Sequence, residues 1–157
     1  GPVVSEVQWT KIQGLIQKGV DEGATLVSGG PGKPEGLETG YFVKPTIFAS
    51  VDNSMDVAQT EIFGPVLCII GYDSEDEAVD IANDTVYGLA AVVQSADKDR
   101  AMKVARRIQA GHVYYNHQFA QYASSPFGGR KQSGTGYEHD EWGIEGFLST
   151  KAILGGA

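Results

Sequence analysis

The middle of the chain alternates short apolar segments with amphipathic ones, and this alternation restricts the possible folds more than any other feature. Residues 66–72, 89–94 and 112–115 have the length and apolar content of buried strands. Residues 75–83 and 98–110 carry apolar side chains at helical spacing. Strands that alternate with helices in this way predict crossover connections over a mostly parallel sheet, so we expect an α/β fold.

The flanking sequence extends this prediction in both directions. An amphipathic helix at 5–23 is expected to end at Gly23, which adopts the left-handed conformation at little cost. The Gly- and Pro-rich residues 29–40 predict a loop, and Pro45 places the strand at 41–48 at a sheet edge or bulge. The other predicted elements are a strand at 24–28, a short helix at 55–60, a loop at 116–136 and a final strand at 147–154.

Composition excludes several classes of protein. The 157 residues suit one domain, and no change of composition marks a boundary inside them. The fraction of glycine, 21 of 157 residues, is nearly twice the average of about 7%, which indicates tight turns and close backbone approaches. The single Cys excludes a disulfide framework, and the net charge of −8 disfavours nucleic acid or an anionic membrane as a partner. Because the sequence has neither a long apolar run nor a signal-peptide pattern, we expect a cytoplasmic protein.

Two glycine-rich segments fail as nucleotide-binding motifs. In GGPGK, Lys33 precedes Pro34 rather than Ser or Thr, so the phosphate-loop pattern is not met. In SGTGYEH, His139 takes the place of the third glycine of a dinucleotide fingerprint, and no predicted strand precedes it. A nucleotide-binding module built on these loops is therefore the weakest functional alternative.

Residue types common in reactive sites are interpreted here as structural. The cluster at 138–141 has one His beside carboxylates, so a solvated turn is favoured over a metal site, and we predict no metal. His112 and His117, at and just beyond the end of a strand, are also given structural roles. Cys68 lies in a predicted strand with no neighbouring His, Lys or helix N-terminus to stabilise a thiolate, so we expect a core residue.

Residues 61–66 (EIFGPV) and 126–136 (PFGGRKQSGTG) combine functional side chains with constrained turns next to strand ends. Open α/β sheets bind ligands in crevices at strand ends. A carboxylate there can accept hydrogen bonds from ribose hydroxyls, and a Phe can pack against a planar ring. The alternative is that both segments are tight turns with anchoring aromatic residues.

Taken in order along the chain, the sequence resembles the C-terminal part of the NAD(P)-dependent aldehyde dehydrogenase family. The resemblance covers nearly the whole chain and rests on GPVVSEVQWTKIQGLIQKGVDEGATLVSGG, YFVKPTIF, EIFGPV, ANDTVYGLAA, RRIQAGHVYYN and PFGGRKQSG. It implies the C-terminal part of the catalytic domain, with NAD or NADP as the cofactor and an aldehyde as the substrate. It also implies a homo-oligomer, a dimer or tetramer, for the full-length protein.

The resemblance implies roles for individual residues. Glu61 corresponds to the carboxylate that binds the nicotinamide-ribose hydroxyls, and Phe63 to the aromatic residue near the nicotinamide ring. Phe127 resembles the aromatic residue that lines the aldehyde pocket. The loop at 116–125 would supply variable substrate contacts, nearest the pocket at Phe119, Gln121 and Tyr122. Residues 145–154 resemble the strand that joins a neighbouring subunit's sheet.

The family's chemistry uses a Cys nucleophile, which forms a thiohemiacetal with the aldehyde, and a Glu general base, which activates water to hydrolyse the thioester left after hydride transfer. Both residues are expected in sequence that precedes Gly1, so this chain is predicted to be an inactive fragment of a longer enzyme. It departs from the family's common Gly-Arg-Glu at Gly136-Tyr137-Glu138, which removes any ion pair of that Arg. The alternative is a non-catalytic interaction module that pairs with full-length homologues through its terminal strand.

Overall fold

A computed structural model describes residues 1–156 and divides the chain into two compact units. Unit 1 is Gly1–Ser74, and unit 2 begins at Glu75. Composition does not change at this division, so the sequence carries no mark of it. No helix within the described range is both long and apolar enough to cross a bilayer.

Unit 1 is a three-stranded sheet with two helices. Its elements are α1 (Glu6–Asp21), β1 (Thr25–Ser28), β2 (Thr46–Ala49), α2 (Asp56–Gln59) and β3 (Val66–Cys68). The strand order is β1-β2-β3, with β1 antiparallel and β3 parallel to β2. Helix α1 begins after Ser5, whose Oγ accepts a hydrogen bond of 3.3 Å from the Gln8 amide. The predicted helix at 5–23 and strand at 24–28 are confirmed.

Strand β2 is shorter and more central than the sequence predicts. It begins at Thr46 rather than at 41, since Pro45 has no amide hydrogen to donate to a neighbouring strand. Upstream of Pro45, Phe42 forms only an isolated bridge with Pro2. Strand β2 lies between β1 and β3, so the edge alternative is wrong. The pairing of β1 with β2 does contain a register shift, but it lies between Leu26 and Ser28 of β1 and not at Pro45.

The core of unit 1 forms where α1 and α2 pack with β2. Phe48 of β2 and Ile12 and Ile16 of α1 are completely buried. A Cβ on Gly19 would lie 2.9 Å from Val57 Cγ1 and 3.2 Å from the Phe48 ring. The glycine therefore allows α1 to approach both β2 and α2 closely.

Unit 2 contains one parallel pair of strands. Its elements are α3 (Glu75–Asn83), β4 (Ala90–Val93), α4 (Lys98–Ala105), β5 (His112–Tyr115), a 3₁₀ turn (Lys131–Ser133) and α5 (Asp140–Glu145). Strand β4 pairs in parallel with β5, and α4 is the crossover between them, as predicted. Strands β3 and β4 belong to separate sheets, so the expected single sheet through residues 66–115 is not formed among the described strands. Helix α5 was not predicted, because its apolar Trp142 and Ile144 are two residues apart rather than at helical spacing, with Gly143 between them.

Helix α4 ends at Ala105, five residues earlier than predicted, and a side chain of α3 explains why. Asn83 Nδ2 donates to the Arg107 carbonyl at 3.0 Å, and Asn83 Oδ1 accepts from the Gln109 amide at 2.7 Å. These two bonds satisfy backbone groups that a longer helix would use internally.

The predicted strand at 147–154 is not formed within the described chain. Helix α5 extends to Glu145, and the residues that follow a turn at 146–147 have no regular secondary structure. Phe147 is 93% and Leu154 95% exposed. A terminal strand needs a partner strand for its backbone groups, and the chain alone does not supply one here.

Candidate functional site

The turn of Glu61, Ile62 and Phe63, here called the 61–63 turn, buries its middle side chain and exposes the other two. Ile62 is buried in the core cluster of unit 1. Glu61 is exposed, and Phe63 is 69% exposed with a φ of 60°, in the left-handed region that non-glycine residues seldom adopt. The buried Ile62 therefore anchors a turn that presents a carboxylate and an aromatic ring to solvent.

Two polar side chains of α1 contact the backbone of this turn. Lys11 Nζ donates to the Glu61 carbonyl at 3.1 Å, and Gln8 Nε2 donates to the carbonyls of Ile62 at 3.2 Å and Phe63 at 3.4 Å. Sequence reasoning missed both residues. The available signal was their three-residue spacing, which puts both on one side of α1.

An open depression of about 420 Å³ lies beside the 61–63 turn. Its lining includes Glu61 and Phe63, together with the apolar Val57, Val66 and Ile70. A carboxylate acceptor, an aromatic face and an apolar floor can together hold a group that is part hydroxylated and part planar.

Cys68 lies on the wall of the same depression and has the properties of an unreactive thiol. It is half-buried against the core cluster, and its Sγ donates to the Val57 carbonyl at 3.5 Å. Burial raises the pKa of the Cys68 thiol, which disfavours the nucleophilic thiolate. The predicted core role is thus refined: the residue packs at the edge of the core and reaches the site surface.

In unit 2, ring contacts connect two of the predicted substrate-pocket residues. The ring centroids of Phe119 and Tyr114 are 5.4 Å apart, those of Tyr114 and His112 6.0 Å, and those of His112 and Phe127 4.8 Å. Tyr114 also donates its hydroxyl to the Ala120 carbonyl at 2.7 Å, which holds the loop that carries Phe119. Phe119 and Phe127 are therefore placed through two residues of β5, Tyr114 and His112.

Hydrogen bonds to Glu138 and to Gly88 fix the backbone of the 126–136 segment. Phe127 and Glu138 exchange amide-to-carbonyl bonds of 2.8 and 2.7 Å. The Gly88 carbonyl accepts from the Arg130 amide at 2.8 Å, and the Gly88 amide donates to Ser133 Oγ at 2.9 Å. A Cβ on Gly111 would overlap the Gly128 carbonyl oxygen, so the chains approach at backbone distance here.

The predicted pocket residue Gln121 is exposed and does not line the depression beside β5. That depression, about 520 Å³, is lined by Tyr114 and Tyr122 with neighbouring residues of β5 and by Lys98. Phe119 and Phe127 are not among its lining residues either. Of the three residues predicted nearest the pocket, Tyr122 lines this depression, and Phe119 and Gln121 do not.

The acidic cluster at 138–141 begins α5. His139 Nδ1 lies 3.3 Å from the Tyr122 carbonyl, and His139 and Asp140 both have positive φ. Within residues 1–156, no three His, Cys, Asp or Glu side chains come close enough together to hold a metal ion.

The chain belongs to the aldehyde dehydrogenase family, whose sequence model matches residues 1–153. A Staphylococcus saprophyticus protein, whose name assigns it provisionally to the aldehyde dehydrogenases, is 56% identical over 155 residues, which are 99% of this chain and 32% of that protein. Aldehyde dehydrogenase C of Pseudomonas syringae, a Cys-to-Ala variant solved with NAD⁺ and octanal, is 52% identical with a TM-score of 0.92 over 98% of this chain and 31% of that one. An aldehyde dehydrogenase of Mycobacterium tuberculosis complexed with NAD⁺ is also 52% identical, with a TM-score of 0.89 over 94% of this chain and 30% of its own. The chain therefore spans about a third of the length of these relatives.

Proposed function

We propose that this chain is the C-terminal portion of the catalytic domain of an NAD(P)-dependent aldehyde dehydrogenase, which oxidises an aldehyde to a carboxylic acid. Family membership and the length of the relatives support a longer enzyme. The NAD⁺ bound in two solved relatives supports the choice of cofactor.

The observation that carries this proposal is the 61–63 turn. An exposed carboxylate and a 69% exposed Phe ring border one open depression, while the residue between them is buried. We assign Glu61 to accept hydrogen bonds from the nicotinamide-ribose hydroxyls and Phe63 to pack near the nicotinamide ring. When bound, NAD or NADP supplies the hydride acceptor.

Unit 2 contributes the substrate-facing side chains in this proposal. Phe127 and Phe119 provide apolar surface for the aldehyde, and Gln121 adds a variable polar contact. The ring contacts through β5 support a fixed placement of the two Phe side chains. Since pocket contacts of this kind act by size and polarity, changes at 119 and 121 should alter which aldehyde is preferred.

The Cys nucleophile and the Glu general base are proposed to lie outside residues 1–157. We propose that Cys68 is not the nucleophile; burial, which raises the pKa of its thiol, and the hydrogen bond that Sγ donates to a backbone carbonyl support this. The isolated chain should therefore show no NAD-dependent aldehyde oxidation, and turnover that survives Cys68→Ala would contradict this placement of the chemistry.

The direct experiment begins with the coding DNA on both sides of this sequence. A reading frame that continues upstream into a Cys-bearing loop supports the proposal, and a start codon immediately before the Gly1 codon opposes it. In the complete gene product, Glu61→Gln keeps the side-chain shape but removes the charged acceptor, and should weaken NAD binding roughly tenfold by calorimetry. Glu35→Gln, at an exposed loop position, is the matched control. Equal NAD affinity in both variants would contradict the role of Glu61.

A second candidate function is supported by the terminal segment. Phe147, Leu148, Ile153 and Leu154 are between 67% and 95% exposed in a segment without regular structure. Such a segment can add as a strand to another sheet, as the interaction-module alternative requires. Light scattering of the chain with and without a full-length homologue tests this: a mixed species supports the module, and a strict monomer in both samples opposes it.

A further inference from the structure

We propose that Tyr137 is a positioning residue of unit 2: its ring packs on Gly128 and thereby fixes Phe127, which the proposed function assigns to the aldehyde pocket. The value of this contact for substrate binding rests on the proposed function. The packing of the ring is a property of unit 2 and can be tested separately. Tyr137 stands where the family's common Gly-Arg-Glu has Arg, so a ring at this position distinguishes this chain from the common pattern.

Tyr137 lies opposite Gly128 in a short antiparallel pairing. Phe127 forms an isolated bridge with Glu138, and the two residues exchange backbone hydrogen bonds of 2.8 and 2.7 Å. In an antiparallel pairing, the residue that follows on one strand faces the residue that precedes on the other, so Gly128 faces Tyr137. Cross-strand neighbours of this kind are close enough for a side chain of one to contact the other.

The ring of Tyr137 occupies the space that a side chain on Gly128 would need. A Cβ on Gly128 would lie 2.6 Å from Tyr137 Cδ1 and 3.1 Å from Tyr137 Cε1. An aromatic ring across from a strand glycine covers the bare backbone and helps to fix the pairing, an arrangement known as aromatic rescue. The carbonyl of the same glycine meets Gly111 at backbone distance, so Gly128 contacts both the start of β5 and the Tyr137 ring.

Helix α5 places a second ring beside Tyr137. The ring centroids of Tyr137 and Trp142 are 6.1 Å apart and the ring planes are inclined at 60°, as in tilted aromatic pairs. Trp142 is close because α5 approaches the backbone of Glu138: a Cβ on Gly143 would lie 2.8 Å from the Glu138 carbonyl carbon. The Trp142 ring therefore restricts the movement of the Tyr137 ring.

The contact at Gly128 fixes Phe127 through the backbone that the two residues share. Successive residues of a strand direct their side chains to opposite faces, so Phe127 projects from the face opposite to the Tyr137 contact. On its own face, the Phe127 ring lies 4.8 Å from the His112 ring and 6.3 Å from the His139 ring, measured between centroids. Tyr137 thus holds the backbone below Phe127, while other rings limit the direction of its side chain.

The first experiment is NMR on the 157-residue chain. Wild type should show a nuclear Overhauser effect between the Tyr137 ring and a Gly128 α-hydrogen, since that hydrogen points where the Cβ would lie. Tyr137→Leu removes the ring current and should displace the Gly128 α-hydrogen shifts, whereas Tyr137→Phe should keep them. After labelling with 5-fluorotryptophan, the two Trp residues, Trp9 and Trp142, act as internal references, and Tyr137→Leu should shift only the signal of Trp142.

Tyr72→Leu is the matched control, because it makes the same change at a 59% exposed position in unit 1. It should leave the signals of Gly128 and Trp142 unchanged. Should Tyr137→Leu fail to fold, the Overhauser effect in the wild-type chain still decides whether the ring lies on Gly128. Absence of that effect, or unchanged Gly128 shifts in a folded Tyr137→Leu, would overturn the positioning role.

The second experiment measures aldehyde oxidation by the complete gene product, with octanal as an apolar probe. Tyr137→Leu should raise the KM for octanal roughly tenfold and leave kcat and the KM for NAD within about twofold of wild type, because a displaced Phe127 alters substrate contact and not the reacting groups. Tyr137→Phe and Tyr72→Leu should both keep the wild-type KM for octanal.

Phe127→Ala separates a failure of this inference from a failure of the proposed function. If Phe127→Ala raises the KM for octanal but Tyr137→Leu does not, the positioning role in substrate binding is overturned. An equal rise in Tyr137→Phe would also overturn it, since that variant keeps the ring. If Phe127→Ala leaves the KM unchanged, the proposed role of Phe127 fails, while the Gly128 shifts still decide whether Tyr137 holds the segment.

Discussion

The two units support their proposed functional residues by different physical means. In unit 1, eight buried apolar residues form one cluster, and the 61–63 turn is anchored in it through Ile62. Among the described residues of unit 2, the buried apolar ones are Val79 and three alanines, at 101, 105 and 110, so little side-chain volume is enclosed. Its 126–136 segment is held instead by backbone hydrogen bonds and by glycines in close approach. Unit 1 thus holds its functional turn by packing apolar side chains in a core. Unit 2 holds its functional segment through close backbone contacts that only glycine allows.

The surface of unit 2 is consistent with this difference. Trp142 is 59%, Phe147 93% and Ile153 86% exposed. Burial of apolar surface contributes about 25 cal/mol per Å², so large side chains left in water add little to stability. The same residue type should therefore have very different energetic importance in the two units.

The largest expected effect comes from Phe48→Ala in unit 1. Phe48 is completely buried, and its removal should lower the free energy of unfolding by about 3–5 kcal/mol through lost transfer energy and the remaining cavity. Urea denaturation measures the change. Phe147→Ala, at a 93% exposed position in unit 2, is the control and should change stability by less than about 0.5 kcal/mol. Similar losses in both variants would remove the contrast between the units.

The next effect tests the role of glycine in unit 2. In Gly111→Ala the new Cβ overlaps the backbone oxygen of Gly128, which is rigid, so we expect a loss of about 1–3 kcal/mol. Amide exchange followed by mass spectrometry should localise the loss to peptides that contain 111 and 128.

Gly14→Ala is the matched substitution in unit 1. Gly14 is exposed within α1, and nothing lies within 4 Å of its ideal Cβ position. Alanine there should stabilise by roughly 0.5–1 kcal/mol, since glycine in a helix interior carries an entropic cost. If Gly111→Ala is also neutral or stabilising, close backbone approach is not what holds unit 2 together.

The sequence predicts those features of both units that depend on local pattern. Helix α3 and strand β5 have the predicted bounds, because apolar periodicity and flanking turn residues determine them locally. Helix α4 is shorter than predicted, because Asn83, more than 20 residues away, bonds the Arg107 carbonyl and the Gln109 amide that a longer helix would use internally. The strand expected at 147–154 needs a partner that periodicity does not reveal.

The candidate site likewise has features that the sequence predicts and features that depend on tertiary structure. The sequence shows a carboxylate and an aromatic residue next to Gly-Pro, and the family resemblance is what predicts roles for Glu61 and Phe63. Their support by Gln8 and Lys11 was not visible, because it depends on which side of α1 meets the turn. The exposed position of Gln121 depends on the path of a loop, for which the sequence has no periodic signal.

The smallest expected effect concerns the helix caps, one neutral and one titratable. Helix α1 is capped by the Ser5 hydroxyl, and α4 by Asp97 Oδ1, which accepts from the amides of Asp99 at 2.9 Å and Arg100 at 3.0 Å. The hydrogen bonds from Arg100 and Asp99, aided by the nearby charges of Lys103 and Arg100, hold the pKa of Asp97 below its ordinary value.

Because folding lowers this pKa, the contribution of Asp97 is fully present above the ordinary Asp pKa of about 3.9 and is lost as the pH falls through the folded value. Asp97→Ser keeps a capping oxygen but does not titrate. The difference in α4 amide protection between wild type and Asp97→Ser should therefore shrink on acidification. Asp52, whose pKa is also lowered, is present in both proteins, so its contribution cancels when the two protection values are subtracted. The cost of Ser5→Ala, measured in α1 over the same pH range, should stay constant, since no proton is involved. A pH-dependent Ser5 effect, or a pH-independent Asp97 effect, would show that the two caps do not differ as their chemistry requires.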